Sequence, residues 1–139
     1  MATVTLPTKP VLTTDLARQI LETSLNAARD KNLRMSIAVV DDGGSLLAFV
    51  RMSEQIAAAS AEVAIAKAKS AAMFKRGTLS WEQAAKDRTV VLKIPHVVPL
   101  GGGVPLTVDG VTIGAIGVSG SSSVVDDEIA NAGAALLAG

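Results

Sequence analysis

The stretch Pro99 to Gly120, PLGGGVPLTVDGVTIGAIGVSG, constrains this chain more than any other. Asp109-Gly110 sits between two strand-like runs, Val104 to Val108 and Val111 to Val118. Both central residues of a two-residue hairpin turn need positive φ, which Asp tolerates and glycine adopts freely, so the runs are read as an antiparallel hairpin. Gly114 and Gly117 remove side chains from the return strand, and a strand gives up packing at such positions for a bulge or a close approach. Gly101 to Gly103 lead into the hairpin. A glycine run cradles phosphate where a strand passes into a helix N-terminus. These glycines flank a hairpin instead, so they are read as a shape element that brings backbone close to a helix.

The helix is Gln55 or Ile56 to about Arg76, a run of strong helix formers capped by Ser53 and ended by Gly77. Ile56, Ala59, Val63, Ala66, Met73 and Phe74 mark its buried stripe, widened by Ala57, Ala64, Ala68 and Ala71. Apolar residues make up 49% of the chain but aromatics only 2%, so the core must be Val, Ile, Leu and Ala. Small side chains let backbones come close, which predicts tight helix packing and a subunit interface.

Met35 to Val40 and Leu46 to Met52 form a second hairpin around Asp41-Asp42-Gly43-Gly44. Neither run alternates between apolar and polar, so helices are expected on both faces of the sheet. A first helix runs from a Thr13 or Thr14 cap to Lys31-Asn32, and a last one from Val124 to about Ala138 behind Ser123. Trp81 to Arg88 is a short amphipathic helix. Val90, Leu92 and Ile94 alternate as an edge strand or extended segment stopped by Pro95. Residues 1–12, with Pro7 and Pro10, are an extended arm, and residues 13–139 are a single domain by length.

The 139 residues contain no cysteine, which excludes disulfides, thiolate metal sites and a cysteine nucleophile. Thirteen basic and thirteen acidic residues, with no basic stripe, argue against nucleic acid. The N-terminus has no secretory pattern, and no apolar run approaches the roughly 20 residues of a membrane span, so a cytoplasmic protein without a membrane partner is expected.

Four side chains are candidates for chemistry. Arg51 ends an apolar strand with a charge, as an ion-pair partner or an anion clamp. Lys67 lies near the apolar stripe of the long helix, where lysines snorkel or present an amine to substrate. His96, the sole histidine, stands between Pro95 and Pro99 as a loop residue, a haem ligand or a general base. One histidine cannot by itself make a zinc site. Asp127 belongs to a run with Asp126 and Glu128 that suits a helix N-terminus better than a metal, since consecutive residues fan out around a helix. A ligand pocket is expected where Gly101, Gly102, Gly103, Arg51 and Lys67 meet.

VVDDGGSLLAFVRM, then AKAKSAAMF, then PLGGGVPLTVDGVTIGAIGVSG, and finally DDEIANAG resemble the HbpS/GlcG-like family, which includes the PduO C-terminal domain and OrfY-type proteins. The resemblance runs from about Leu12 to Leu137. It implies an α/β (α+β) fold, a profilin-like α/β/α sandwich around a five-stranded antiparallel sheet, assembled as a homo-oligomer from dimer to octamer. It also implies a small-ligand-binding accessory protein of catabolic operons that takes haem, a related tetrapyrrole or a pathway metabolite. Some members use a histidine on the first helix, which has none here, leaving His96. The family pattern has Asp-Gly after Arg-Met, where this chain has Ser53-Glu54.

Two other functions fit the residues. A cofactor-independent enzyme on a carbonyl or carboxylate metabolite would use the Gly101 to Gly103 amides as an oxyanion site, Arg51 as a carboxylate clamp, and Lys67, His96 or Asp127 to move a proton. A partner or chaperone of another pathway enzyme is suggested by the alanine-rich surfaces.

Overall fold

A computed structural model describes residues 3–53 and 56–138. The described elements, in chain order, are helix α1 (Thr14–Asp30), strands β1 (Ser36–Asp41) and β2 (Leu46–Arg51), helices α2 (Ser60–Phe74) and α3 (Thr78–Asp87), strands β3 (Gly103–Val108) and β4 (Val111–Ser119), and helix α4 (Ser123–Ala134). The strands form one antiparallel sheet in the order β2-β1-β4-β3. Helix α2 covers one face, and α1 and α4 cover the other.

The two layers differ in side-chain size. Ile37 and Val39 of β1 and Ile116 and Val118 of β4 join Ile20, Leu21, Leu25 and Ile129 in a thick aliphatic core under α1 and α4. Their neighbours Ala38, Val40 and Ala115 face α2 with Ala64, Ala68, Ala71 and Ala72. The central strands therefore alternate in volume on two buried faces. In register, Ala38 of β1 pairs with Gly117 of β4, which pairs with Gly103 of β3. This row of small residues spans β1, β4 and β3 beneath α2 and ends at Phe49, the partner of Ala38 on β2. A Cβ on Gly117 would run into the Ala64 carbonyl and lie 2.6 Å from the Ala68 amide nitrogen, and one on Gly103 would meet the Lys67 backbone. Glycine is required there by the approach of a backbone.

The hairpins follow the turn chemistry. Asp109 and Gly110 have φ of 50° and 78°, and the Asp41 carboxylate accepts from the Gly43 and Ser45 amides at 2.9 Å each. Thr13 caps α1, its hydroxyl accepting from the Leu16 amide at 3.2 Å. Other expectations are corrected. Among the described residues the sheet has four strands, not five. The Thr89–Lys93 segment, expected as part of an edge strand or extended segment, is a 3₁₀ helix in which only Val91 is buried. Its apolar alternation finds cover for one residue in a turn against α3, and Val90 and Leu92 face outward. Helix α2 begins at Ser60 with Ala59 at its N-cap position, so Ser53 does not cap it; Gln55 lies outside the described residues. It ends at Phe74 with Lys75 as its C-cap, in the left-handed conformation at φ 52°, while Gly77 is the N-cap of α3. Its inner face is Ser60, Ala64, Lys67, Ala68, Ser70, Ala71 and Ala72, and Met73, expected in the core, is exposed. Strand β2 is an edge strand with Leu46 and Phe49 exposed, so only β1 of that hairpin is covered on both sides. Helix α4 is capped by Ser122 rather than Ser123, its hydroxyl accepting from the Val125 amide.

Close approach and backbone conformation are separable in this hairpin. Gly117→Ala places a methyl against fixed backbone and is expected to destabilise the protein by about 3 kcal/mol. Gly110→Ala, with nothing within 4 Å of its Cβ position but a φ of 78°, is expected to cost about 1 kcal/mol of left-handed strain. Urea denaturation of both variants checks the order, and a Gly117→Ala protein as stable as the parent contradicts it.

Candidate functional site

Lys67 reaches inward from the middle of α2, and its side chain is 3% exposed. Its ammonium donates to an Asp126 carboxylate oxygen at 3.0 Å and to the Val118 carbonyl at 2.9 Å. The other Asp126 oxygen accepts from the Ser121 amide at 2.8 Å. The head group of Lys67 thus does not snorkel to water, and Asp126 is an ion-pair partner as well as a first-turn acid. Burial, the largest influence, pushes the Asp126 carboxyl above its ordinary value against the pull of Lys67 and of the Ser121 and Gly120 amides. Asp127 is likewise raised by burial, opposed by the Gly102 amide and Asn131.

The three glycines form a strap over this pair. A Cβ on Gly102, whose φ is 127°, would lie 2.9 Å from the Lys67 ammonium and 3.1 Å from the Asp126 Cβ. The Gly101 amide donates to Glu82 at 3.1 Å and the Gly103 amide to the Thr78 hydroxyl at 2.8 Å, both acceptors on α3. The Gly101 and Gly103 amides are therefore engaged by side chains and are not turned to an incoming oxyanion. Nothing in the sequence marked Thr78 or Glu82 as partners of these glycines. On the same helix Trp81 is 7% exposed and packs edge-on against Phe74 at 5.4 Å. The Arg76 guanidinium lies 3.7 Å from the Trp81 ring centre.

The structure brings Lys67, Gly101, Gly102, Gly103 and Asp127 together, but not Arg51 or His96. Arg51 is exposed at the end of β2, the edge strand opposite β3, and forms no ion pair among the described residues. The expected meeting of Arg51 with the glycines and Lys67 does not occur, because two strands separate them. His96 is exposed, with φ 69°, on the loop after the 3₁₀ helix. That loop is tied to α2 by the Val98 amide, which donates to Ser70 at 3.2 Å. His96 shares a groove of about 520 Å³ with Ile65, Lys69 and Met73 of α2 and with Gly43 to Leu46 of the first hairpin. Gly44 is buried against the Lys69 and Met73 stems, which seats the hairpin turn on α2. Met73 was expected in the core, which is why the sequence did not pair it with His96. A second groove, of about 530 Å³, lies at the opposite end of α2 between Asn32 to Arg34, Ile56 to Val63 and Ser119 to Ser121.

Two measurements test the buried cluster. Lys67→Met leaves Asp126 charged and unpaired in the interior and is expected to cost about 3–5 kcal/mol, whereas Lys67→Met with Asp126→Leu is expected to cost less than the sum of the single changes. Additive denaturation energies would contradict the coupling. The Ser123 hydroxyl and then the Gly101 amide hold the Glu82 carboxyl below its ordinary value of 4.5. A depressed carboxylate gives stability that is present above its unfolded value and lost as pH falls through the folded one. Glu82→Gln is therefore expected to flatten the decline of Tm with acidification below about pH 4.5, read by thermal melts across that range.

The family model described as haem degrading protein HbpS-like matches residues 12–135. Protein GlcG of Escherichia coli strain K12 is 41% identical over 113 residues, covering 81% of this chain and 84% of GlcG. A crystal structure of HbpS superposes with a TM-score of 0.87 at 30% identity and covers 99% of both chains. The crystal structure of a PduOC:heme complex superposes at 0.81 with 26% identity, over 91% of this chain and 94% of that one. The α+β fold described above is the fold of those structures, and the chain belongs to the HbpS-like family.

Proposed function

We propose that this protein is a small-ligand-binding protein that takes haem or a related tetrapyrrole in the groove under His96. The observation that carries the reading is the placement of the sole histidine beside the thioether of Met73 and the ammonium of Lys69, in a groove walled by Ile65 and Leu46. An imidazole and a thioether together hold haem iron in cytochromes c, and an amine at the rim suits a propionate. The groove has the volume of a small-molecule site, about 300–1,000 Å³. Membership of a family described as haem degrading, and likeness to a protein solved with heme, support the ligand class.

His96 is the residue that would hold the iron. Its left-handed backbone, a conformation in which His is over-represented among non-glycine residues, presents the ring at the end of a loop anchored to α2. Met73 would supply a second ligand or an apolar contact, and Lys69 would orient the anionic edge. Bound haem would supply the redox and ligand-binding chemistry of its iron. The exposed Leu46 of β2 lines the groove, so a homo-oligomer that covers this edge strand would also close the site.

Titration of the purified protein with haem is expected to give a shifted Soret band saturating at one haem per chain. His96→Ala is expected to abolish the shift at micromolar haem with the circular dichroism unchanged, and Met73→Leu to alter the spectrum without preventing binding. An unaltered spectrum in His96→Ala would remove the histidine from the site, and no spectral change in the parent would remove haem from the function.

A further inference from the structure

The groove at the N-terminal end of α2 has a floor unlike the rest of that layer. Between α2 and the sheet the packing is alanine, valine and glycine, yet at this end three hydroxyls replace it. Ser36, Ser60 and Ser119 are 0%, 5% and 9% exposed. Ser36 and Ser119 are register partners on β1 and β4, so both point to the α2 face. The Ser36 and Ser60 hydroxyls bond each other at 2.8 Å. One of that pair keeps a proton it can donate elsewhere, and the Ser119 hydroxyl, which lines the groove, has no hydrogen-bond partner among the described residues. The Ser119 hydroxyl is not a sealed, orphaned group, since the buried side-chain atom left without a partner among the described residues is Trp81 Nε1; it is open to the groove and free to bond a ligand atom there.

The surroundings set the sign and size of that ligand. Arg34 stands at the rim and makes no ion pair among the described residues. Helix α2 opens on the groove with Ala59 at its N-cap; its Ser60 and Ala61 amides bond the Ala57 and Ala58 carbonyls of the preceding turn, so only the helix dipole, and no free amide of these two, adds to the field of the guanidinium. Leu33, Ile56 and Val63 supply apolar wall. A Cβ on Gly120 would strike the Arg34 carbonyl and approach Met35, so the β4–α4 loop and the α1–β1 loop meet there at glycine-only distance and close the end of the groove. Hydroxyl donors below, a planar bidentate donor at the rim and hydrocarbon at the side fit one chemical class, a small organic acid with a short aliphatic body.

We infer that this groove is a binding site for a short-chain carboxylate, held by the Arg34 guanidinium and the Ser60 and Ser119 hydroxyls, and separate from the His96 groove. The two lie at different ends of α2, so the inference does not rest on haem binding.

Isothermal titration of the whole chain with acetate, butanoate, 2-hydroxybutanoate, butanamide and inorganic phosphate tests it. A carboxylate is expected to bind saturably with Kd of about 1 mM or tighter. Arg34→Gln is expected to weaken it about tenfold or more and Ser119→Ala by about fivefold. His96→Ala is expected to leave it unchanged. Both groove variants alter polar atoms at the surface end of the layer, and an unchanged Tm without ligand verifies that they fold. Butanamide binding as tightly as butanoate would show that charge is not recognised and overturn the site. Phosphate binding without any carboxylate, no binding by any probe, or full affinity in Arg34→Gln would overturn it equally.

Discussion

The distance between α2 and the sheet is the constraint on which the rest of the structure depends. Helix and sheet can meet this closely only where neither presents a bulky side chain, and Ala38, Gly117 and Gly103 in register beneath Ala64 and Ala68 provide that path. The closeness leaves no route by which the Lys67 ammonium could reach water, so a buried charge has to be answered inside the protein. Asp126 answers it, and in doing so fixes the first turn of α4 against the end of β4 and the Ser121 backbone. The glycine strap is a further consequence, since only a residue without Cβ passes over that ion pair.

Much of this was legible in the residues. Both hairpins, the two-layer cover of the sheet and the close approach of a helix to the glycine-bearing strand follow from Asp109-Gly110, from Asp41 to Gly44, and from the run of alanines. What escaped was information that lies between elements. The central strands have no polar alternation, and their two faces are distinguished by volume, with Ile37, Val39, Ile116 and Val118 on one side and Ala38, Ala115 and Gly117 on the other. Read that way, the thin side of the sheet identifies the face on which α2 lies. The same rule would have turned α2 correctly, because its inner stripe, Lys67 apart, is serine and alanine rather than the most hydrophobic residues, and Met73 falls outside it.

Site residues were legible in kind but not in grouping. Lys67 and the carboxylates of α4 stood out, yet their pairing is a tertiary fact joining positions 59 residues apart. Arg51 stood out for the same reason, a charge after an apolar strand, and a place at the far edge of the sheet is something no local pattern encodes. Conversely, Ser36, Ser60 and Ser119 look like ordinary small residues along the chain, and only register and helix placement bring them together. The two grooves share one wall, α2, whose first turns line one and whose later turns line the other. A helix seated on alanine and glycine has few side-chain rotamers with which to adapt, so each groove is shaped against a stiff surface.

The position of Trp81 has a practical consequence. The chain has one tryptophan and no tyrosine, so its near-ultraviolet emission comes from a single indole. That indole sits on the helix whose Thr78 and Glu82 hold the glycine strap, under a guanidinium and beside Phe74. Its fluorescence therefore reports on one defined place, the clasp between α3 and the strap. Energy transfer to a chromophore elsewhere on the molecule would measure one distance rather than an average over many donors.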